Sequence, residues 1–262
     1  MDQEEPRIIL FDLETIPNLE EAMKVWPQLS NYPGLTLKAT ITSIICAGWK
    51  EFGSNKTHCI NAWDFPGWEK SINDDLEVCK AIYKALSTAD AVVTHNGKRF
   101  DWKFLQTRLM HHNLPPLHKI HHIDTKEQAK RHLFAFNNRL GTVGQLLAND
   151  KKLENGGWDL WVKVSKRNKK AMRLMEKYCK QDVDLLEKVF KKLRPLINNI
   201  PNYNLFKMSH AGTKKMCPMC GSTRVRSNGW RHTSTQSYRR FKCLDCKGVH
   251  RVDKSGEKPR AL

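Results

Sequence analysis

Apolar residues recur along this chain with two different periods, and the switches between them mark out an alternating architecture. RIILFDLETI reads as a buried strand in which Asp12 and Glu14 fall on one face and Phe11 and Leu13 on the other. An irregular stretch through Pro17, Pro27 and Pro33 follows. ATITSIICAGWK, rich in β-branched residues, predicts a second strand and KTHCINAW a third. In DDLEVCKAIYKALSTA the residues Leu76, Val78, Cys79, Ile82 and Leu86 recur at helical spacing, ahead of a strand at AVVTH. Asp101 opens a helix, DWKFLQTRLMHHN, which Asn113, Pro115 and Pro116 close. HKIHHIDT predicts a short strand that returns to the sheet. The segments from there to Arg194 predict helices, the last of them KAMRLMEKYCKQDVDLLEKVFKKL. Three early strands followed by alternating helices and strands predict a mixed α/β sheet with helices packed on it.

Beyond Arg194 the periodicity fades through PLINNIPNYN and SHAGTKK, and a short module follows. The implied boundaries are a main domain over 1–200, a linker over 201–213, a module over 214–252 and a disordered tail over 253–262. A chain of 262 residues has room for one domain of roughly 150–200 residues plus such an appendage. Its hydrophobic fraction of 40% is enough for a packed core. No run approaches the ~18 consecutive apolar residues of a membrane span, so no membrane association is expected. MDQEEPR is unlike a secretory signal, and the expected location is a cytoplasm, that of a bacterial host cell if the chain is phage-encoded.

Charge narrows the partner. The formal net charge is +18, and from Asn202 onward fourteen Lys and Arg face three Asp and Glu. Such a surface attracts polyanions, of which nucleic acid is the commonest in a cell, although a basic surface also serves solubility or an acidic protein. The eight cysteines divide in two. Cys46, Cys59, Cys79 and Cys179 are scattered singly among core-like residues and read as small buried hydrophobes. Cys217, Cys220, Cys243 and Cys246 form two Cys-x-x-Cys pairs with twenty-two residues between the inner members. In a reducing compartment that spacing points to metal rather than to disulfides.

Three acidic motifs carry the candidate chemistry. Asp12 and Glu14 share a face of an apolar strand, where they repel each other and lose hydration; cations would remove that penalty, and a solvated strand end would reduce it. The strand AVVT leads into His95-Asn96-Gly97, and Asp101 follows at a helix start, where an N-cap is the simplest role. Tyr178 and Asp182 are four residues apart and share a helix face, as an ordinary surface pair also would. Asp184 lies about 200° round that helix and reads as solvent-facing. The histidines His111, His112, His118, His121 and His122 surround a Pro-Pro loop without a metal-ligand pattern and read as surface or loop residues.

Taken together, FDLET, HNGKRFD and YCKQD resemble the three motifs of the DEDD exonuclease superfamily, over roughly residues 7–195. The resemblance implies a ribonuclease H-like fold. The His branch of that group would need a His at position 177, which is Lys177; Tyr178 stands where the Tyr branch, DEDDy, requires it. The style is close to the proofreading domains of DNA polymerases and to phage-type exonucleases. By resemblance, Asp12, Glu14, Asp101 and Asp182 would hold two Mg²⁺ or Mn²⁺ ions ~3.5–4 Å apart, one generating hydroxide and the other stabilising the departing 3′ oxygen. Tyr178 would orient the attacking water, since a phenol with a free pKa of about 10 is a poor base at neutral pH. IDTKEQAKRHL also looks like this group. Asp124 there is a candidate for supporting the site, or with Thr125 for a helix N-cap, and it stands outside the catalytic set. GGWDLW resembles the loop before the last helix of phage members. Trp158 and Trp161 are candidates for stacking on bases, with core packing the better reading for at least one of them.

The paired Cys-x-x-Cys turns look like a zinc ribbon, one Zn²⁺ held by Cys217, Cys220, Cys243 and Cys246. A module this small builds little core, so metal would largely determine its folding. Arg224, Arg226, Arg231, Arg239, Arg240 and Lys242 are candidates for phosphate contacts, with Trp230 or Tyr238 for stacking; Asn96 and Trp158 join them on the main domain. The alternative is a stapled module that docks on protein. The leading reading is a metal-dependent 3′–5′ exonuclease on single-stranded nucleic acid, DNA favoured over RNA, working with a polymerase or a replication or repair partner. An exoribonuclease of the ribonuclease D type is the alternative on the same site. A non-catalytic nucleic-acid-binding protein on a nuclease fold is the alternative of a different class.

Overall fold

The computed structural model describes residues 6–17, 42–153, 156–197, 216–252 and 259–261. Two compact units are distinguished, the larger being Arg7–Val189. The irregular stretch after Pro17 and the whole of the expected linker over 201–213 lie outside the described residues.

Five strands form the sheet of the larger unit: β1 (Ile8–Pro17), β2 (Thr42–Glu51), β3 (His58–Asn61), β4 (Ala91–Thr94) and β5 (His121–Asp124). Their order is β3-β2-β1-β4-β5. The first three run antiparallel to their neighbours, and β4 and β5 continue parallel to β1. Ile8 to Phe11 are all buried, as are nearly all residues of β2, because both faces of the sheet are covered. The fold is the expected mixed α/β arrangement of the ribonuclease H-like class.

The helices are α1 (Gly67–Lys70), α2 (Leu76–Leu86), α3 (Asp101–His111), α4 (Thr125–His132), α5 (Leu140–Ala148), α6 (Trp158–Ser165) and α7 (Lys169–Leu193). The helical spacing read in the sequence is real: Val78, Cys79, Ile82 and Leu86 of α2 are buried. The short turn of α1 escaped the periodicity because four residues carry too little pattern; its Trp68 is 1% exposed and anchors it in the core. Gly48 of β2 lets α7 come close, since a Cβ there would lie 2.9 Å from Val183 Cγ2 and 3.1 Å from Cys179 Sγ. Gly48 is also the register partner of Asp12, so this approach sets the helix carrying Tyr178 and Asp182 against the strand carrying the first motif.

The smaller unit contains a four-stranded antiparallel sheet, β6 (Val225–His232), β7 (Ser237–Cys243), β8 (Val249–Val252) and β9 (Pro259–Ala261). The stretch 253–262 was expected to be without structure, yet Pro259–Ala261 pairs with β8. An edge strand offers unpaired backbone groups to any nearby extended segment, which hydrophobic patterning does not register.

Candidate functional site

The three acidic motifs meet. Period-two geometry puts Asp12 and Glu14 on one face of β1, and a register irregularity between Glu14 and Thr15 re-aims the strand just past the second carboxylate. One carboxylate oxygen from each of Asp12, Glu14 and Asp182 lies within 4.8 Å of the others. Asp101 is the first residue of α3, and its carboxylate accepts from the Leu13 amide at 3.4 Å. All four line a cleft of about 560 Å³ with Tyr178, Asn96, Lys126, Arg139 and Lys152.

The electrostatics are those of negative charge packed too closely. Burial, then the charges of Asp101, Asp182 and Glu14, hold the Asp12 carboxyl well above the usual carboxylate range. Burial raises Glu14 to about 8, aided by Asp182, and raises Asp101 to about 7. Burial also raises Asp182, against the pull of Lys152. Among the described residues Asp182 Oδ1 has no hydrogen-bond partner, an expensive state for a buried carboxylate oxygen. These residues fit a divalent cation: hard oxygen donors converge, one of them orphaned, in a place where positive charge would relieve their repulsion.

Lys152 was not found from the sequence. Its Nζ lies 2.6 Å from Asp182 Oδ2 and 4.4 Å from the Tyr178 ring centroid. Burial works against its charge, yet Asp182 and Tyr178 raise its pKa overall. It sits in a loop with no motif, so no spacing rule points to it. The Tyr178 phenol is pushed above its ordinary value by burial, then by Asp182 and Glu14, and therefore stays protonated. Trp161 packs edge-on against it at 6.1 Å and donates from Nε1 to the Thr15 carbonyl at 3.1 Å. Trp158 is 37% exposed and lies outside the cleft lining.

Asp124 is a clamp. Its buried side chain caps α4 by accepting from Lys126 N and Glu127 N, and accepts from Asn96 N at 2.9 Å and Lys98 N at 3.2 Å. It thereby fixes the turn in which Asn96 adopts a left-handed φ of 75°. Asp184, expected to face solvent, has a side chain 44% exposed that also accepts from Lys50 Nζ at 2.9 Å and Thr57 Oγ1 at 2.6 Å. The histidines do not gather: His112 binds Asp75, and His122 binds Thr94. Three of the singly scattered cysteines do gather, with the sulfurs of Cys46, Cys59 and Cys179 within 4.8 Å of one another.

In the smaller unit the four sulfurs of Cys217, Cys220, Cys243 and Cys246 lie within 4.8 Å of one another. The Cys217–Cys246 and Cys220–Cys243 separations are both 3.6 Å. Among the described residues Met219 and Val225 pack with them, a thin core that suits a metal-stabilised module. Cross-strand register places Arg226 opposite Lys242 and Arg231 opposite Tyr238, with Arg240 opposite Arg251. Strand alternation gathers all six on one face. Trp230, 56% exposed, pairs with Arg239 on the other face, and Arg224 is bound to Asp245 at 2.9 Å. No helix among the described residues is long and apolar enough to cross a membrane.

Comparison with known proteins gives a consistent placement. A family model described as RNase_H superfamily matches residues 43–194, starting downstream of Asp12 and Glu14. Among solved structures, the chain is similar to the family B DNA polymerase from the hyperthermophilic archaeon Pyrobaculum calidifontis. The TM-score is 0.54 at 14% identity, over 78% of this chain and 26% of the polymerase. The chain thus spans about a quarter of that protein's length. No curated protein matches.

Proposed function

The chain belongs to the RNase_H superfamily, and from that premise we propose that it is a metal-dependent 3′–5′ exonuclease acting on single-stranded DNA. The observation that carries the reading is the carboxylate cluster, with Asp12, Glu14 and Asp182 within 4.8 Å and Asp101 on the same cleft. Asp12, Glu14, Asp101 and Asp182 would hold two divalent ions, Mg²⁺ or Mn²⁺, which supply charge neutralisation and a hydroxide nucleophile at neutral pH. The polarity and the single-stranded substrate come from the DEDDy resemblance. The likeness to part of a DNA polymerase favours DNA over RNA.

The chain's own groups have distinct tasks. Tyr178, kept protonated by its buried acidic surroundings, donates a hydrogen bond and holds a water in line; it does not take a proton. Lys126 and Arg139 on the cleft wall oppose the charge of the phosphate backbone. Lys152 fixes the Asp182 carboxylate and the Tyr178 ring in their relative positions. Tyr178→Phe is expected to slow turnover by about ten- to a hundredfold while the affinity for divalent metal stays within about twofold. Unchanged turnover would remove Tyr178 from the site.

For the smaller unit we propose one structural Zn²⁺ on the four cysteines and a nucleic-acid contact through the basic face of β6–β8. Like charges directly opposed across strands destabilise a sheet, and a polyanion reverses the sign of that term. Metal analysis of the full chain is expected to lose one zinc per chain on Cys217→Ser; an equal zinc content in variant and wild type refutes the ribbon assignment.

The deciding test for the nuclease uses 5′-labelled single-stranded DNA and RNA with Mg²⁺, Mn²⁺ or EDTA. A metal-dependent ladder of shortening labelled products on DNA supports the reading. A ladder on RNA alone moves the substrate class to exoribonuclease. Binding without cleavage of either strand makes the fold a scaffold.

A further inference from the structure

Two phenylalanines stand in solvent beside the cleft. Phe134 and Phe136 are 105% and 99% exposed, in the loop Leu133–Arg139 between α4 and α5. Full exposure of two phenyl rings forgoes about 1.5–3 kcal/mol of burial each, so their placement needs a use. The loop does not hang free. Leu133 N donates to Ala129 O at 2.8 Å, and Asn137 Oδ1 accepts from Arg139 N and Thr142 Oγ1. The Asn138 carbonyl is 2.9 Å from Nε2 of His95, which lines the cleft. The loop is therefore tied at one end to α4 and at the other to the cleft wall, and the rings stay outside. Arg139 itself lines the cleft, so Phe136 lies within about 10 Å of the lining measured along extended chain.

The surroundings decide what the rings fit. Lys130 and Arg131 end α4 just before them, and Lys126 and Arg139 stand on the adjoining wall. An aromatic pair among cations suits a ligand with flat faces joined by anionic links. Two phenyls offer about 150–250 Å² each, well short of the ~1,000 Å² total a specific protein interface buries. We propose that Phe134 and Phe136 are a stacking platform for unpaired bases of a nucleic-acid strand whose end occupies the carboxylate cleft. The inference rests on the nuclease reading for the position of the strand end, and on the rings alone for the binding.

The test uses the full chain and a short oligothymidylate. Binding is followed by fluorescence anisotropy without added Mg²⁺ or Mn²⁺, so that no cleavage intervenes and the zinc of the smaller unit is left in place. Phe134→Ala/Phe136→Ala is expected to weaken binding at least tenfold, with Phe134→Trp/Phe136→Trp restoring it, and with the salt dependence retained because the rings carry no charge. Hydrolysis in Mn²⁺ is compared with that of the p-nitrophenyl ester of thymidine 5′-monophosphate, which has one base and cannot span the platform. The alanine variant is expected to lose at least tenfold more kcat/KM on the oligomer than on the ester. Equal losses on the two substrates, or unaltered binding, overturn the proposal. A change in sedimentation mass between wild type and variant also overturns it, because the rings would then serve association with a second copy. If neither substrate is hydrolysed by the wild type, the nuclease reading fails while the binding arm still decides the platform.

Discussion

Asp12→Asn is expected to lower metal-dependent hydrolysis by about 10²–10³-fold or more, while leaving the metal-free protein at least as stable as the wild type. The two halves of that expectation have one cause. Asp12 has three carboxylates for neighbours, and each raises its pKa in addition to burial. The neutral amide keeps the shape and removes a charge that the fold tolerates poorly. A group whose pKa is raised by folding is bound to more protons in the folded state than in the unfolded one. Stability contributed this way is present at low pH and declines as pH rises. With Glu14 at about 8 and Asp101 at about 7, the decline without added Mg²⁺ or Mn²⁺ should run from the ordinary carboxylate range up to about pH 8. Mg²⁺ or Mn²⁺ should reverse it, because an ion bound only by the folded state adds stability. Thermal melts between pH 5 and 8, with and without metal, read all of this. Asp12→Asn should flatten the pH dependence and shrink the metal-induced rise in Tm. A wild type equally stable across that range without added Mg²⁺ or Mn²⁺, or a variant with full turnover, would sink the account of this site as a cation centre.

The parts of this site legible in the sequence are those fixed by local periodicity. Strand alternation is enough to align Asp12 with Glu14, and one helical turn aligns Tyr178 with Asp182. The resemblance brought these segments together; the close approach itself depends on Gly48, whose missing Cβ admits α7 against β2. Lys152 escaped because its relation to Asp182 and Tyr178 spans thirty and twenty-six positions with no pattern between. The cysteine trio escaped for the same reason. Cys46, Cys59 and Cys179 look solitary along the chain and converge only when β2, β3 and α7 pack together. Periodicity reports which face a residue takes, and leaves open what that face will meet.

Asp75 shows the same limit with the largest expected effect on stability. It precedes α2, where an acidic residue normally caps the helix, but its side chain makes no capping bond. It turns inward instead and is 1% exposed. Oδ2 accepts from Ile44 N and Arg108 Nε, both at 2.8 Å, and Oδ1 accepts from Arg108 Nη2 at 2.6 Å. His112 Nε2 lies 2.5 Å from the same Oδ1. One carboxylate thus ties β2, α2 and α3 together around the fully buried guanidinium of Arg108. Asp75→Ala leaves that cation without its buried counter-charge and the Ile44 amide without its acceptor, which should cost about 3–5 kcal/mol. For a unit of this size each kcal/mol lowers Tm by about 2–4 °C, so a fall on the order of 10 °C is expected. The pair need not be a net source of stability, because both ions lost their hydration to enter the core. Asp75→Asn/Arg108→Met keeps an acceptor for Ile44 N and removes both charges, and it should recover most of the loss. Chemical denaturation of Asp75→Asn, Arg108→Met and the double variant would show this as a coupling energy of opposite sign to the single losses. Additive losses would mean that Asp75 and Arg108 act separately, and that the network is a set of contacts rather than one unit.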